Sequence, residues 1–493
     1  MPQRSNGWVN AMAESKAIER GSMAARGFPP IKLNSFQRVM LLWEEVHAYN
    51  AACVVQLRGP LDTQRLRDSI ETTCRHVGLG RMVVDAKRAV LHFEPLDTVA
   101  LKLISAAGQV SDPSTRAPAL AGGSCSGFRP TGVVAGATGL PVGLNLLNEV
   151  LTEEINAPFP AEAHDPIRWI LVMSPESGFL VAVWRHVVAD AESLRMLLAE
   201  ILSRYYEGPH KTKGTLTLNA RETTRMIRSQ WARLGYFNSV KQAIRLYSRM
   251  RRVYRLPESK DGGHNARVLL LGAPDGLLRR LRAGCRIRRV NVHDAFLTAL
   301  MAALAELTPE RRTHRKRRGL ALATAVNLRR IDREKFAGRF GLYAGHWINT
   351  LDEPEAMDLE GILQEMTRQT QIEKSAERYV GLEWHWRTLL FLRRWLSVNE
   401  NRTWYRKVYP LSAGVSHVRL NGNGFGAAQD NVLRYFLVPP PGPAVPLVVA
   451  PASLDENLTF AAVYREAALN ASQVAKLMDG FFACLARFAG TES

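Results

Sequence analysis

The chain has 493 residues, of which 46% are apolar and 23% are charged, and its formal net charge is +19 at pH 7. These ordinary globular proportions exclude a wholly disordered, collagen-like or fibrous protein, and the length suffices for about two or three domains. The excess of basic residues favours polyanions, anionic membrane surfaces or phosphate-bearing substrates, without choosing among them.

Cysteine usage and the absence of sorting signals predict a cytoplasmic protein. The five cysteines are odd in number, scattered and free of CxxC spacing, so neither a disulfide framework nor a zinc site is expected. Residues 1–29 lack the apolar segment of a secretory signal and are predicted to be a flexible tail. The uncharged stretches 131–148 and 435–453 contain too much Gly or Pro for a membrane-spanning helix.

The first half of the chain alternates helix and strand patterns, as α/β domains do. Phe36 and Trp43 are spaced so that they lie on one face of a predicted helix, which begins after Asn34 or Ser35 as the N-cap. Residues 105–145 are rich in Gly, Ala, Ser and Pro, which predicts a long loop or a partly ordered insertion. The other predicted elements, in chain order, are a strand at 51–61, a helix at 63–77, strands at 82–84 and 90–93, an ordered segment at 146–159, strands at 168–174 and 178–188, and a helix at 189–208.

A basic connecting region, residues 209–265, separates the two halves, with Pro257 and the glycines after it as the break. The elements predicted beyond it are a strand at 266–272, a helix through 277–281, a helix at 291–307, strands at 319–330, 415–418, 434–437, 446–450 and 458–464, and a helix at 470–488. We therefore predict an α/β (α+β) fold in which a unit at 30–208 and a unit at 266–493 lie side by side.

The most informative segment for chemistry is WRHVVADAES, residues 184–193. His186 lies where a buried strand gives way to a polar loop, and Asp190 follows four residues later, just before a helix. A histidine at a strand end can project into a cleft, and a nearby carboxylate can fix its tautomer or hold the loop. The same HxxxD pattern taken alone also describes a half-buried structural histidine.

Further segments appear in a characteristic order around this one. The first half contains LNSFQRVMLLW, INAPFP and DPIRWILVM, and the second contains VNVHDAFLTALMAAL, TAVNLRR, RFGLYAGHW and VSHVRLNG. Together, over about residues 31–488, they resemble the condensation-domain superfamily of acyltransferases. This superfamily includes nonribosomal-peptide condensation domains, wax-ester and glycolipid acyltransferases, plant BAHD enzymes and chloramphenicol acetyltransferase.

The resemblance has departures within the motifs. The family's HHxxxDG signature is present with Arg185 in place of the first His and Ala191 in place of Gly. Leu342 and His417 replace asparagines, and we interpret both changes as altering groups that line the site. Because the first His position varies among active acyltransferases, Arg185 is not expected to abolish activity.

The resemblance implies two chloramphenicol-acetyltransferase-like subdomains in a V, with the active site at their interface. His186 would be the general base, and Ser416 is a candidate donor to the oxyanion. Asp190 would be structural and would pair with Arg329 of the strand end that includes Asn327. No metal, bound cofactor or covalent acyl-enzyme is implied, since an acyl-CoA or acyl-carrier-protein thioester serves as co-substrate.

Three functions follow as alternatives. The first is an acyltransferase that moves an acyl group from a CoA or carrier-protein thioester to a hydroxyl or amine. The second is a stand-alone condensation enzyme that joins two carrier-bound substrates. The third is a non-catalytic, membrane-associated scaffold, which the presence of His186 disfavours.

Other candidate features have structural interpretations. His293 and His346 lie in or beside apolar segments and are predicted to be core or helix-surface residues. The basic run 311–318 is interpreted as a solvated loop, and no nucleic-acid-binding motif accompanies it, so no nucleic-acid partner is expected.

Residues 221–256 contain ten basic residues and one acid, with apolar residues recurring every three or four positions. A second basic and aromatic stretch follows at 387–407. Basic amphipathic helices suit an anionic membrane interface, which would make the protein peripheral to a membrane. The alternatives are a stripe that packs on the protein itself and a docking surface for an acidic carrier protein.

Overall fold

The computed structural model describes residues 30–105, 110–111, 144–174, 176–208, 216–218, 235–259, 265–375, 386–387, 389–391, 404–420, 422, 424–443 and 445–490. The predicted tail 1–29 lies outside the described residues, as do most of the predicted loop 105–145 and part of the connecting region 209–265.

Side-chain caps define where several helices begin. Asn34, Asp62, Asp190 and Asn470 each accept a hydrogen bond from the backbone N–H three residues later, which satisfies a donor that the first helical turn leaves unpaired. The helices are α1 (Ser35–Glu44), α2 (Thr63–Val77), α3 (Leu144–Asn156), α4 (Ala191–Glu207), α5 (Tyr236–Met250), α6 (Leu277–Ile287), α7 (Val292–Leu307), α8 (Arg333–Phe336), α9 (Leu359–Ser375) and α10 (Ala471–Ala489).

The longer strands are buried on both faces and rich in Val, Leu and Ala. This composition is typical of strands in a sheet that is covered on both faces. The strands are β1 (Ile31–Lys32), β2 (Asn50–Arg58), β3 (Arg81–Asp85), β4 (Val90–Glu94), β5 (Leu101–Ser105), β6 (Val110–Ser111), β7 (Ile167–Met173), β8 (Ser177–Arg185), β9 (Thr217–Leu218), β10 (Ala266–Gly272), β11 (Leu320–Asn327), β12 (Arg339–Phe340), β13 (Ala344–Leu351), β14 (Ala413–Val415), β15 (Val418–Leu420), β16 (Val432–Val438), β17 (Leu447–Leu454) and β18 (Asn457–Arg465).

Two mixed sheets form the framework of the molecule. The first has the order β16-β2-β8-β7-β5-β6, and the second has the order β10-β18-β17-β14-β11-β13 with β15 beside β17. One hydrophobic core packs α2, α3 and α4 on the first sheet, and a second packs α6, α7, α9 and α10 on the second sheet. The predicted mixed α/β class is therefore confirmed.

The two sheets are tied together by chain crossing and by side chains. Strand β16 comes from the second half of the sequence but pairs antiparallel with β2, with Phe436 opposite Val54. Helix α3 lies against β10, where the Asn156 amide donates to the Ala266 carbonyl at 2.8 Å and accepts from the Ala266 N–H at 2.9 Å. The first sheet therefore depends on residues from both halves.

The structure differs from the sequence prediction at some elements. Strands β5 and β13 and helix α9 were not predicted, because their apolar periodicity is short or interrupted. The strand predicted at 415–418 is interrupted after Val415 and resumes at Val418. Within the described ranges, no single helix has the length and apolar character to cross a membrane, whereas α6 and α7 meet that length and composition test as a pair bent by 99°.

Candidate active site

His186 lies immediately after β8, and two backbone carbonyls hold it. Its N–H donates to the carbonyl oxygen of Tyr49 at 3.2 Å, and its ring Nδ1 lies 3.0 Å from the carbonyl oxygen of Ala189. A carbonyl oxygen can only accept, so Nδ1 carries the proton in this contact. The neutral ring consequently has its lone pair at Nε2, the nitrogen able to take a proton from a substrate.

The surroundings of His186 favour the neutral ring. Tyr49 stacks on it with centroids 5.5 Å apart, and the Trp184 indole meets it edge-on at 6.1 Å. Burial among these rings lowers the pKa of His186, against the opposing effects of the Ala189 carbonyl and the Asp190 carboxylate. A neutral imidazole with a fixed tautomer is suited to act as a general base.

The Asp190 carboxylate is fully engaged in hydrogen bonds within the protein. Its Oδ1 accepts from the Ser193 N–H at 2.8 Å, which caps α4. Its Oδ2 accepts from Arg329 Nη1 at 2.8 Å and from the Tyr343 N–H at 2.7 Å. These three bonds occupy both oxygens, so the carboxylate holds the loop rather than approaching the reacting atoms.

The structure brings Arg329 under the loop that carries His186. Arg329 Nη2 donates to Ser193 Oγ at 2.6 Å and to the Arg339 carbonyl at 2.9 Å, and its guanidinium lies 4.3 Å from the centroid of the Tyr343 ring. Asn327 Oδ1 accepts from the Arg329 N–H at 3.0 Å, which holds the turn after β11. This buried network joins the start of α4 to the end of β11.

Arg185 takes part in an ion pair that the sequence analysis did not predict. Its Nη2 donates to Glu44 Oε2 at 2.7 Å and its Nε donates to Glu44 Oε1 at 3.1 Å, in a bidentate pair whose side chains are 15% and 13% exposed. The pair fastens the end of α1 to the end of β8, next to His186. Ala191, the other departure, is the first residue of α4, where a strong helix former is well accommodated.

A cavity of about 970 Å³, counted with its open mouth, lies against His186. Its described lining includes no Asp, Glu, Lys or Arg and is dominated by aromatic, proline and small residues. Its principal lining residues are Phe36, Trp43, Tyr49, His186, Ala323, Ala325, Ala344, His346, Trp386, Tyr405, Tyr409, Leu411, Ser416, Pro439, Pro440 and Pro443.

Ser416 and His417 lie in the interruption between β14 and β15 and face opposite ways. Ser416 lines the cavity, and its backbone N–H is already used by the Val449 carbonyl at 3.1 Å, so the hydroxyl is the group available as a donor. The His417 ring stacks on His293 with centroids 5.9 Å apart, inside the second core beside Phe296.

The structure places three residues differently from the sequence prediction. Neither His417 nor Leu342 lines the cavity, because His417 faces the helices behind the sheet and Leu342 packs on Met40 and Tyr49. His346, expected in the core or on a helix surface, lies on β13 and lines the cavity, with its Nε2 2.9 Å from the Tyr409 hydroxyl.

Most of the aromatic wall was missed by sequence reasoning. It comes from α1, from Tyr49 just before β2, and from segments much later in the chain. The aromatic residues that these later segments contribute are Trp386, Tyr405 and Tyr409. No local pattern relates these side chains, so only the folded arrangement identifies them. Among the described residues, no group of three or more His, Cys, Asp or Glu side chains is placed to hold a metal ion.

Comparison with known proteins gives structural matches alone. No family model matches the chain, and no curated protein matches it. The first condensation domain of the calcium-dependent antibiotic synthetase, in complex with a substrate analogue, is 13% identical with a TM-score of 0.65, over 94% of this chain and 97% of that one. The chain has the condensation-domain fold.

Two further structures show how much chemistry the condensation-domain fold accommodates. The EpoB cyclization-docking bidomain from Sorangium cellulosum is 14% identical with a TM-score of 0.65, over 99% of this chain and 93% of that one. The epimerization domain of tyrocidine synthetase B is 14% identical with a TM-score of 0.60, over 94% and 96%. Because a cyclization domain and an epimerization domain share this fold, the fold alone does not identify the reaction, which must be argued from the site.

Proposed function

We propose that this chain is an acyltransferase that transfers an acyl group from a thioester to a hydroxyl or amine, with His186 as the general base. The observation that carries the proposal is the fixed tautomer of His186, whose Nδ1 is held by Ala189 while the residue lines a large cavity. Nε2 is then the free acceptor for the proton of an attacking nucleophile.

The proposed reaction balances without a covalent enzyme intermediate. His186 Nε2 takes the proton as the oxygen or nitrogen of the acceptor bonds to the thioester carbon. The Ser416 hydroxyl donates to the oxyanion that forms. Collapse of this intermediate breaks the carbon–sulfur bond, and the imidazolium returns its proton to the departing thiolate.

The donor is a CoA or carrier-protein thioester, and no bound cofactor or metal is required. Similar structures named as domains of synthetases support the carrier-bound form, in which a condensation enzyme joins two carrier-bound substrates. A non-catalytic scaffold would need neither an oriented base nor a cavity beside it. The geometry at His186 therefore supports an enzyme better than a scaffold.

The cavity wall favours an apolar or aromatic substrate group. Phe36, Trp43 and Trp386 form a set of contacting rings with centroids 5.0–6.0 Å apart. Burying a substrate methylene against such a wall contributes about 0.8 kcal/mol, whereas a charged group would lose its hydration without a partner.

The test incubates the full chain with a panel of acyl-CoA and acyl-carrier-protein thioesters, each with amine and hydroxyl acceptors. Intact-mass analysis is expected to show an acylated acceptor together with free thiol, strongest for apolar acyl groups. The His186→Ala variant, checked for its fold by circular dichroism, is the control. If every combination leaves the acceptor mass unchanged, the scaffold alternative replaces this proposal.

A further inference from the structure

Helix α5 exposes an unusual apolar row. Phe237, Ile244 and Tyr247 are 85%, 64% and 53% exposed. They are separated by seven and three residues, which places them along one side of the helix. Single exposed apolar residues are common on protein surfaces, but a row of three large ones marks an interaction face.

Basic residues flank this row. Lys241 and Arg245 are exposed on the same helix, and Arg251 and Arg252 are exposed directly after it. No Asp or Glu occurs between Tyr236 and Arg255 in the sequence. An exposed apolar row bordered by cations is the arrangement of a helix that lies in the plane of an anionic membrane interface.

The other side of α5 anchors it to the body of the protein. Met250 and Leu246 pack with Ile348, Tyr409 and Leu411 in a small separate core. Arg249 reinforces this contact by donating to Thr350 Oγ1 at 2.8 Å. Tyr409 and Leu411 also belong to the wall of the candidate active-site cavity, so α5 connects that wall with the protein surface.

We infer that α5 is a docking face for an anionic lipid bilayer, which holds the protein at a membrane with the cavity wall close behind the docked helix. A bilayer accommodates a convex row of Phe, Ile and Tyr without a matching groove, and it offers negative charge along the whole length of the basic flanks. An acidic carrier protein would need its own complementary groove for this row. The observations that carry the inference are independent of the acyl-transfer chemistry.

Flotation of the full chain with phosphatidylcholine vesicles, with and without about one third phosphatidylglycerol, tests the inference. At low salt the protein is expected to float with the anionic vesicles only, since screening is then weakest. Phe237→Ser with Ile244→Ser is expected to lower the partition coefficient at least tenfold. Lys241→Ser with Arg245→Ser is expected to lower it about 30-fold, an effect that disappears at high salt.

Matched variants elsewhere make the test specific. Ile287→Ser removes another apolar side chain, 82% exposed at the end of α6, and Arg279→Ser removes another exposed cation. Both are expected to bind vesicles as the unmodified protein does. Absence of vesicle binding, or equal binding by the α5 variants, overturns the inference. So does binding to an acidic acyl carrier protein that depends on these α5 residues while vesicles are not bound.

The readout separates this inference from the proposed function. Vesicle binding is measured without substrate, so an inactive protein that still floats would contradict only the acyltransferase proposal. Conversely, a protein that transfers acyl groups from soluble thioesters but does not bind anionic vesicles would contradict only the membrane inference.

Discussion

Within the loop from His186 to Asp190, two ionisable side chains have separate tasks because their environments differ. The His186 ring is held by a backbone carbonyl and by aromatic packing, and its residue lines the cavity. The Asp190 carboxylate is committed to Ser193, Arg329 and Tyr343. The proposed base and the group that holds its loop are thus neighbours in sequence with different partners.

Replacement of His186 by alanine is expected to lower the acyl-transfer rate by about 10²–10⁴-fold, the usual contribution of a general base. Because the ring is held by one side-chain hydrogen bond, the fold should persist, as circular dichroism can verify. His76→Ala, at the exposed end of α2, is a control that should retain full activity. Near-normal turnover in folded His186→Ala would contradict the proposed mechanism.

The pH dependence of kcat/KM should report the environment of His186. Burial lowers the pKa of this ring below its ordinary value of 6.5, and a general base works only in its neutral form. The midpoint of the acidic limb of the kcat/KM profile should therefore lie below pH 6.5. An acidic limb with its midpoint above 6.5 would be incompatible with this environment.

Among the structural elements, the contact between the start of α4 and the end of β11 is the most consequential for the site. It rests on the Asp190–Arg329 pair, whose side chains are 7% and 8% exposed. Ser193 and the carbonyl of Gly341 complete the network, since Ser193 Oγ donates to that carbonyl at 2.7 Å. A helix start and a strand end from different halves of the chain are thereby joined beneath His186.

Replacement of Arg329 by methionine is expected to lower the free energy of unfolding by about 3–5 kcal/mol, because it leaves the buried Asp190 carboxylate without its cation. Denaturant unfolding measures this loss. Arg252→Ala is the matched comparison, since its pair with Asp352 is exposed and should be worth less than about 1 kcal/mol. Equal losses in the two variants would show that burial does not strengthen the Asp190–Arg329 contact.

A second contact between elements joins the start of α7 to the interruption between β14 and β15. His293 and His417 stack there with their ring planes 2° apart, and the Nε2 atoms of both rings are buried. Burial and neighbouring cations lower the pKa of His417 to about 4 and that of His293 in the same direction. The neighbouring cations are Arg282, Arg330, Lys374 and Arg419.

This histidine pair predicts acid sensitivity of the fold. In the unfolded chain His417 takes up a proton near pH 6.5, whereas in the folded chain it does so only near pH 4, so stability should fall as the pH decreases between these values. The lowered pKa of His293 acts in the same direction. In His417→Asn the decrease in melting temperature between pH 7 and pH 4.5 should be smaller than in the unmodified protein. A His76→Asn variant should show the full decrease, and an unchanged decrease in His417→Asn would contradict the assignment.

For the whole molecule, the crossing of β16 makes the first sheet dependent on the second half of the sequence. Tyr435, Phe436 and Leu437 of this strand belong to the first core, and β2 would be an unpaired edge without it. An open edge beside exposed apolar side chains favours aggregation. The two halves are therefore expected to fold as one cooperative unit.

Expression of residues 30–208 alone should yield an aggregating or loosely packed chain that binds a hydrophobic dye and lacks near-ultraviolet circular dichroism. Co-expression with residues 209–493 should restore a packed complex, because β16 can then complete the sheet. A stable fragment 30–208 that does not bind the dye would show that the first sheet folds without β16.

The sequence by itself determined the features that depend on neighbours along the chain. Cap residues and apolar periodicity located most helices and strands, including the Asn34 cap. The position of His186 at a strand end and of Asp190 before a helix followed from the same local patterns, and the resemblance of TAVNLRR to a family segment pointed to Arg329 as the partner of Asp190.

Tertiary structure alone decided the features that join distant segments. The Arg185–Glu44 pair, the His293–His417 stack and the aromatic cavity wall each bring together residues more than 100 positions apart. The pairing of β16 with β2 is also a tertiary feature. The sequence pattern of a strand predicts that the strand will pair, but it does not identify the strand with which it pairs. Such contacts arise from the packing of whole elements, and no spacing within the sequence encodes them.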